Sequence, residues 1–212
     1  MNGLVGIIDG THIPIVNYAI NEQKIDFTNR KSFYSINLTL VVDFKERIIA
    51  ASYEQPGREG DSTIYRQMNI YKNYSLFFNE GEYLFGDKAY PLSKTLLRPF
   101  KGISRDGISG KSFYNFRHAS VRSVVERAIG RLKARWAVLD MVYVRSQEKA
   151  NMILKVATIL HNVCLQNNDN FEFNPVAENE TATYPDRQAE PSQLAGKIMR
   201  EDLMATLLRR YQ

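Results

Sequence analysis

The chain has 212 residues, 44% of them hydrophobic, a formal net charge of +5 and a single cysteine, Cys164. This suffices for one substantial core with an appendage, and it excludes a wholly disordered chain, a disulfide framework and a cysteine-based zinc site. No apolar run is long enough to span a bilayer and no secretory leader pattern opens the sequence, so no membrane partner is expected.

The charge is unevenly placed. Residues 1–168 carry 23 basic and 15 acidic residues, for +8, residues 169–192 sum to −5, and residues 193–212 return +2. A basic body with an acidic connector points to an anionic partner for the body.

In chain order, "LVGIIDGTHIPIV" predicts a buried strand that runs into a turn at Gly10. "YSINLTLVVDFKERIIAASYE" predicts two strands joined by a turn at Asp43 to Glu46, and "PGREGD" a loop. "DSTIYRQMNIYKNYSLFF" reads as one helix capped by Asp61 or Ser62. "EYLFGDKAYP" predicts a short strand ending at Gly86-Asp87, and "TLLRPF" another closed by Pro99. "KGISRDGISGKS" reads as a mobile basic loop.

Val121, Val125, Ala128, Leu132 and Leu139 recur at helical spacing and predict a helix from about Ser112 to Met141. A second helix, Glu148 to Gln166, carries Met152, Val156, Ile159, Leu160 and Val163. The expected organisation is a body over residues 1–166, an acidic linker or tail over 167–192 and a closing helix over 193–212. Strands first, then helices around a further acid-bearing strand, indicate an α/β or α+β layer fold.

Three acids belong to core elements. Asp9 and Asp87 each follow an apolar strand, and Glu126 sits in a helix among Lys111, Arg117, Arg122, Arg127, Arg131, Lys133 and Arg135. If the strands are neighbours and the helix crosses them, the carboxylates converge at one sheet edge. Crowded carboxylates repel, and divalent cations remove that penalty while supplying phosphoryl-transfer chemistry. The plainer alternative has Asp9 and Asp87 shaping turns and Glu126 pairing with Arg122 or Arg127.

"GIIDGTHIPI", "SINLTLVVDF", "GDKAYP", "RPF", "VERAIGRLKARW" and "ILHNVC" occur in this order. Together they resemble the DDE endonuclease domain of PIF/Harbinger-type transposases and their domesticated nuclease-like relatives, over about residues 3–166. That resemblance implies an RNase H-like α/β core, with a mixed central sheet and flanking helices. It also implies a metal-binding catalytic triad of Asp9, Asp87 and Glu126 working with Mg²⁺ or Mn²⁺, two ions in all. The implied activity is phosphodiester hydrolysis on DNA, with strand transfer in an active transposase. Its rivals are a domesticated nuclease without transposition and a catalytically inactive DNA-binding or scaffold protein.

Further roles follow residue by residue. His12 matches the family motif and would orient the turn or touch substrate. Asp61 stands in Gly60-Asp61-Ser62, where the family often has His-Asp-Ser, and is an auxiliary acid or a helix cap. Lys88, Arg98, Lys101, Arg105, Lys111, Arg122 and Lys133 are candidate DNA contacts through phosphates. Arg122, Glu126, Gly130 and Lys133 share one helix face, with His118 a turn earlier, and Gly130 suggests close packing.

Cys164 reads as a small buried side chain, no nucleophile triad is evident near His161-Asn162, and the glycine loops lack the Walker pattern. The resemblance further implies a nuclear location, a homodimer and a Myb-like DNA-binding accessory protein. In the family a helix-turn-helix-like segment usually precedes this domain, so target selection is expected to reside outside this chain.

Overall fold

The computed structural model describes residues 3–16, 27–103, 109–169, 171–173 and 191–211. Its centre is a mixed six-stranded sheet formed by β1 (Leu4–Val16), β2 (Ser35–Val42), β3 (Ile48–Pro56), β4 (Tyr83–Phe85), β5 (Leu96–Leu97) and β6 (Val142–Tyr143). The order is β3-β2-β1-β4-β5, with β6 also on β1. β1, β2 and β3 are antiparallel, whereas β4 and β6 run parallel to β1, and β5 parallel to β4. This mixed α/β arrangement is consistent with an RNase H-like topology.

β1 is long because two kinds of neighbour share it. β2 lies along one edge from Ile7 to Pro14. On the other edge β4 pairs with Leu4 to Ile7 and β6 only with Ile15 and Val16, leaving a fork between them. The turn expected at Gly10 is not there. Gly10 is an ordinary strand residue opposite Thr39, because β2 supplies a continuous ladder of hydrogen bonds past it.

Side chains alternate between the two faces. Ile7, Ile13, Leu38, Leu40 and Val42 enter the larger core beneath the long helices, while Ile8 and Val41 enter a smaller one with Tyr65, Met68, Ile70 and Tyr90. The smaller core explains a second correction. Residues 61–78 form three short helices, α1 (Asp61–Gln67), α2 (Asn69–Lys72) and α3 (Tyr74–Phe77), rather than one. Met68 and Ile70 both need the core, and two positions apart they would lie about 200° apart on a continuous helix. Extended backbone at Met68 (φ −65°, ψ 145°) resolves this. The cap of α1 is Gly60 without a side-chain bond, so neither Asp61 nor Ser62 caps it.

Helix α4 (Gly110–Arg135) begins where the Ser109 hydroxyl accepts the Ser112 N–H at 3.1 Å. It stops at Trp136, short of the expected Met141, and a 3₁₀ turn over Ala137–Leu139 leads into β6. Val125, Ala128, Ile129 and Leu132 face the sheet. A Cβ on Gly130 would lie 2.9 Å from the Phe173 ring, the close packing that its position suggested.

Helix α5 (Gln147–Gln166) packs against β3, burying Ala150, Leu154, Ala157, Thr158 and His161. The apolar stripe read from the sequence, Met152, Val156, Ile159, Leu160 and Val163, is the exposed one. The last helix, α6 (Pro191–Tyr211), lies on α4, with Leu207 buried and the Arg200 guanidinium 3.9 Å from the Phe100 ring centre. No helix among the described residues is long and apolar enough to cross a membrane.

Candidate functional site

Strand register brings the first two acids together. β1 and β4 are parallel with Ile7 beside Phe85, and Asp9 and Asp87 each lie two residues further on. Equal steps along parallel strands preserve both the side and the level of a side chain. Both carboxylates therefore stand at the fork where β4 ends.

Each aspartate is oriented by its own backbone. Asp9 Oδ1 accepts the Gly10 N–H at 3.0 Å, and Asp87 Oδ1 accepts the Ala89 N–H at 2.5 Å. That leaves Oδ2 of each directed at a common neighbour, the Arg122 guanidinium. Its Nη2 lies 2.5 Å from Asp9 Oδ2 and 3.4 Å from Glu126 Oε1, and its Nη1 lies 4.0 Å from Asp87 Oδ2. Helix α4 supplies both Arg122 and Glu126, four residues apart on the face that crosses the fork.

Side-chain exposure is 18% for Asp9, 26% for Asp87, 16% for Arg122 and 58% for Glu126. Burial raises the Asp9 carboxyl above the ordinary carboxylate range; Arg122 opposes this and Asp87 adds to it. Burial works against the Arg122 charge, but Asp9, Asp87 and Glu126 outweigh it and hold its pKa up. One half-buried cation thus serves three acids.

This donor set suits a hard divalent cation in kind, since all three groups offer carboxylate oxygen and two offer it from fixed positions. The space between them belongs to the guanidinium. Among the described residues, no group of three or more His, Cys, Asp or Glu side chains is arranged to hold a metal ion as it stands. Asp9, Asp87 and Glu126 fit such an ion only once Arg122 has moved.

The auxiliary candidates lie around this centre. Asp61 approaches from the opposite face of the sheet, where a Cβ on Gly10 would come within 3.0 Å of its Oδ1. His12 Nδ1 is 3.2 Å from the Ser35 hydroxyl. The buried Tyr90 hydroxyl has no hydrogen-bond partner, and burial pushes its pKa up, with Asp61, Asp9 and Asp87 adding to the effect.

The basic candidates are dispersed. Arg98 donates to the backbone carbonyls of Lys88 and Tyr90 at 3.2 and 3.1 Å, bracing the loop that carries Asp87. Lys111 Nζ sits 5.3 Å from the Phe100 ring centre, and Lys133 borders a groove of about 240 Å³ with His12 and Lys31. Lys88 is partly exposed and Lys101 exposed, while Arg105 lies outside the described residues. His118 is buried, stacked on Phe85 at 4.3 Å, rather than on the face of Arg122.

Sequence reasoning missed the work of "ILHNVC". His161 Nε2 lies 2.9 Å from the Glu46 carbonyl, and Asn162 forms a pair of 2.8 Å bonds with the N–H and carbonyl of Ile48. The motif pins the β2–β3 turn. Burial lowers the His161 pKa. Adjacent polar residues ending an apolar helix were the signal available.

A family model described as DDE superfamily endonuclease matches residues 8–162. The chain is 25% identical over 213 residues to a Rattus norvegicus protein named "Putative nuclease HARBI1", covering 97% of this chain and 59% of that protein. The Homo sapiens protein of that name is 26% identical over 171 residues, covering 78% and 47%. "Protein ALP1-like" of Arabidopsis thaliana is 24% identical over 213 residues, covering 93% and 52%. The chain spans about half the length of these curated relatives. No solved structure matches.

Proposed function

Because the chain belongs to the DDE superfamily endonucleases, we propose that it is the nuclease domain of a Harbinger-derived protein, cleaving DNA phosphodiesters without need of transposition. One observation carries this reading: Asp9, Asp87 and Glu126, contributed by a strand, the loop after a second strand and a helix, converge on a single positive group. The sheet order, antiparallel through β1 and parallel beyond it, supports an RNase H-like core.

Asp9, Asp87 and Glu126 would hold Mg²⁺ or Mn²⁺, which when bound supplies Lewis-acid stabilisation of phosphate charge and activation of water. The chain's own part is positional. The Gly10 and Ala89 N–H groups fix the two aspartates, so that their Oδ2 atoms already face the centre that Arg122 occupies. Arg98 braces the Asp87 loop from behind. Lys88, Lys101, Arg105, Lys111 and Lys133 lie on the +8 body and would engage the sugar-phosphate backbone without reading sequence.

A second reading, a DNA-binding protein that has lost catalysis, is favoured by the Arg122 guanidinium lying among the acids. A cleavage assay on linear DNA with Mn²⁺ separates the two. Parent protein should cut, and Asp87→Asn and Glu126→Gln should each lose at least ~100-fold in rate, since even supporting residues of metal sites cost 10–100-fold. Equal cutting by all three proteins removes the acids from the chemistry, and DNA binding without cutting by the parent selects the second reading.

A further inference from the structure

We propose that Arg122 is a latch on the acidic centre: in the cation-free protein its guanidinium is the counter-ion of Asp9, Asp87 and Glu126, and a divalent cation enters only as it withdraws. This rests on the reading of those acids as metal ligands.

The two cations need the same atoms. Asp9 Oδ2 accepts from Arg122 Nη2 at 2.5 Å, while Asp9 Oδ1 is already engaged by the Gly10 N–H. An ion bound to Oδ2 at roughly 2.0–2.2 Å would sit against a like-charged nitrogen in the same space. Asp87 repeats the pattern, with Oδ1 held by Ala89 and Oδ2 facing Arg122. The latch is therefore competitive.

Arg122 is also able to leave. Its contacts to the acids run through the two terminal nitrogens, and its buried Nε has no hydrogen-bond partner. Arg127 and Arg131 on the same helix are different, since each binds Glu46 through Nε at 3.0 Å. Glu126, the most exposed of the three acids, lies on the solvent side of the centre. A guanidinium displaced in that direction meets an incoming phosphodiester, whose paired oxygens match its forked donors as a carboxylate does.

Calorimetric titration of Mn²⁺ into the full chain tests this, with melting temperatures recorded in parallel. Arg122→Met keeps most of the stem and removes the charge. It should bind Mn²⁺ about 10-fold tighter than the parent, melt lower without metal and show the larger rise on adding Mn²⁺. Should that variant not fold, Arg122→Lys retains a charge too compact to serve three acids, and should tighten binding by about threefold. A purely structural arginine would change melting but not Mn²⁺ affinity, and unchanged or weaker binding in the folded variant overturns the latch. Asp87→Asn is the control on the underlying reading. If it binds Mn²⁺ as the parent does, or if neither the parent nor any variant binds, the acids are not metal ligands.

Discussion

Helix α4 carries two charged clusters with opposite arithmetic. Toward the β2–β3 turn, one carboxylate, Glu46, is held by two arginines, Arg127 and Arg131, each at 3.0 Å. At the sheet fork one arginine, Arg122, is shared among three carboxylates. The first cluster has positive charge to spare, two engaged Nε groups and a turn fastened further by His161 and Asn162. It is a joint. The second keeps an excess of negative charge in a half-buried place, which costs stability unless a further cation relieves it. Similar residue types on one helix thus fasten a turn in one place and, in the proposed function, serve chemistry in the other, and the balance of charge tells them apart.

This contrast can be broken by substitution. The largest effect belongs to Asp9→Asn, which should reduce Mn²⁺-dependent DNA cleavage by at least ~100-fold. The same change should shift the unfolding free energy by less than about 1 kcal/mol, because lost attraction to Arg122 is offset by relieved repulsion from Asp87. Loss of cleavage accompanied by unfolding would make the fork a second joint.

Glu46→Gln should behave in the opposite way. Denaturant titration should show a loss of about 2 kcal/mol, below the buried-pair range because Arg127 is well exposed to solvent, with cleavage nearly unchanged. Asn162→Ala should cost roughly 1–2 kcal/mol through its two lost bonds to Ile48.

The smallest effect is one of pH. Burial lowers the His161 pKa from its ordinary value of 6.5, so on acidification the unfolded chain takes up this proton first. Its contribution is full above pH 6.5 and is lost as the pH falls from there through the lowered folded value. Melting curves between pH 7 and 5 should slope less in His161→Gln than in the parent.

Much of this was legible beforehand. The β2–β3 hairpin, its turn and the presence of a short strand before Asp87 follow from alternation and turn residues, which act within a few positions of themselves. Asp9, Asp87 and Glu126 stood out through their motifs. Other features were hidden because competing local rules fit the same residues. Glycine after aspartate is a turn signal, yet Gly10 stays in the strand because β2 pairs past it. Helical spacing from Ile64 to Leu76 is real, yet Met68 and Ile70 reach one core only if the helix breaks.

By itself, then, the sequence determined most of the element types, the hairpin and the basic body, and drew attention to the three acids, since periodicity, turn chemistry and charge are properties of neighbouring residues. Only the tertiary structure decided that α5 buries its Ala150/Leu154/Ala157 stripe and leaves Met152 and Val156 outside, because which apolar face is covered depends on the partner strand. It also decided that Arg122, rather than any other base on α4, stands among acids 113 and 35 residues away in the chain. Spacing along a helix sets which residues share a face, whereas what that face meets depends on how strands and helix are stacked.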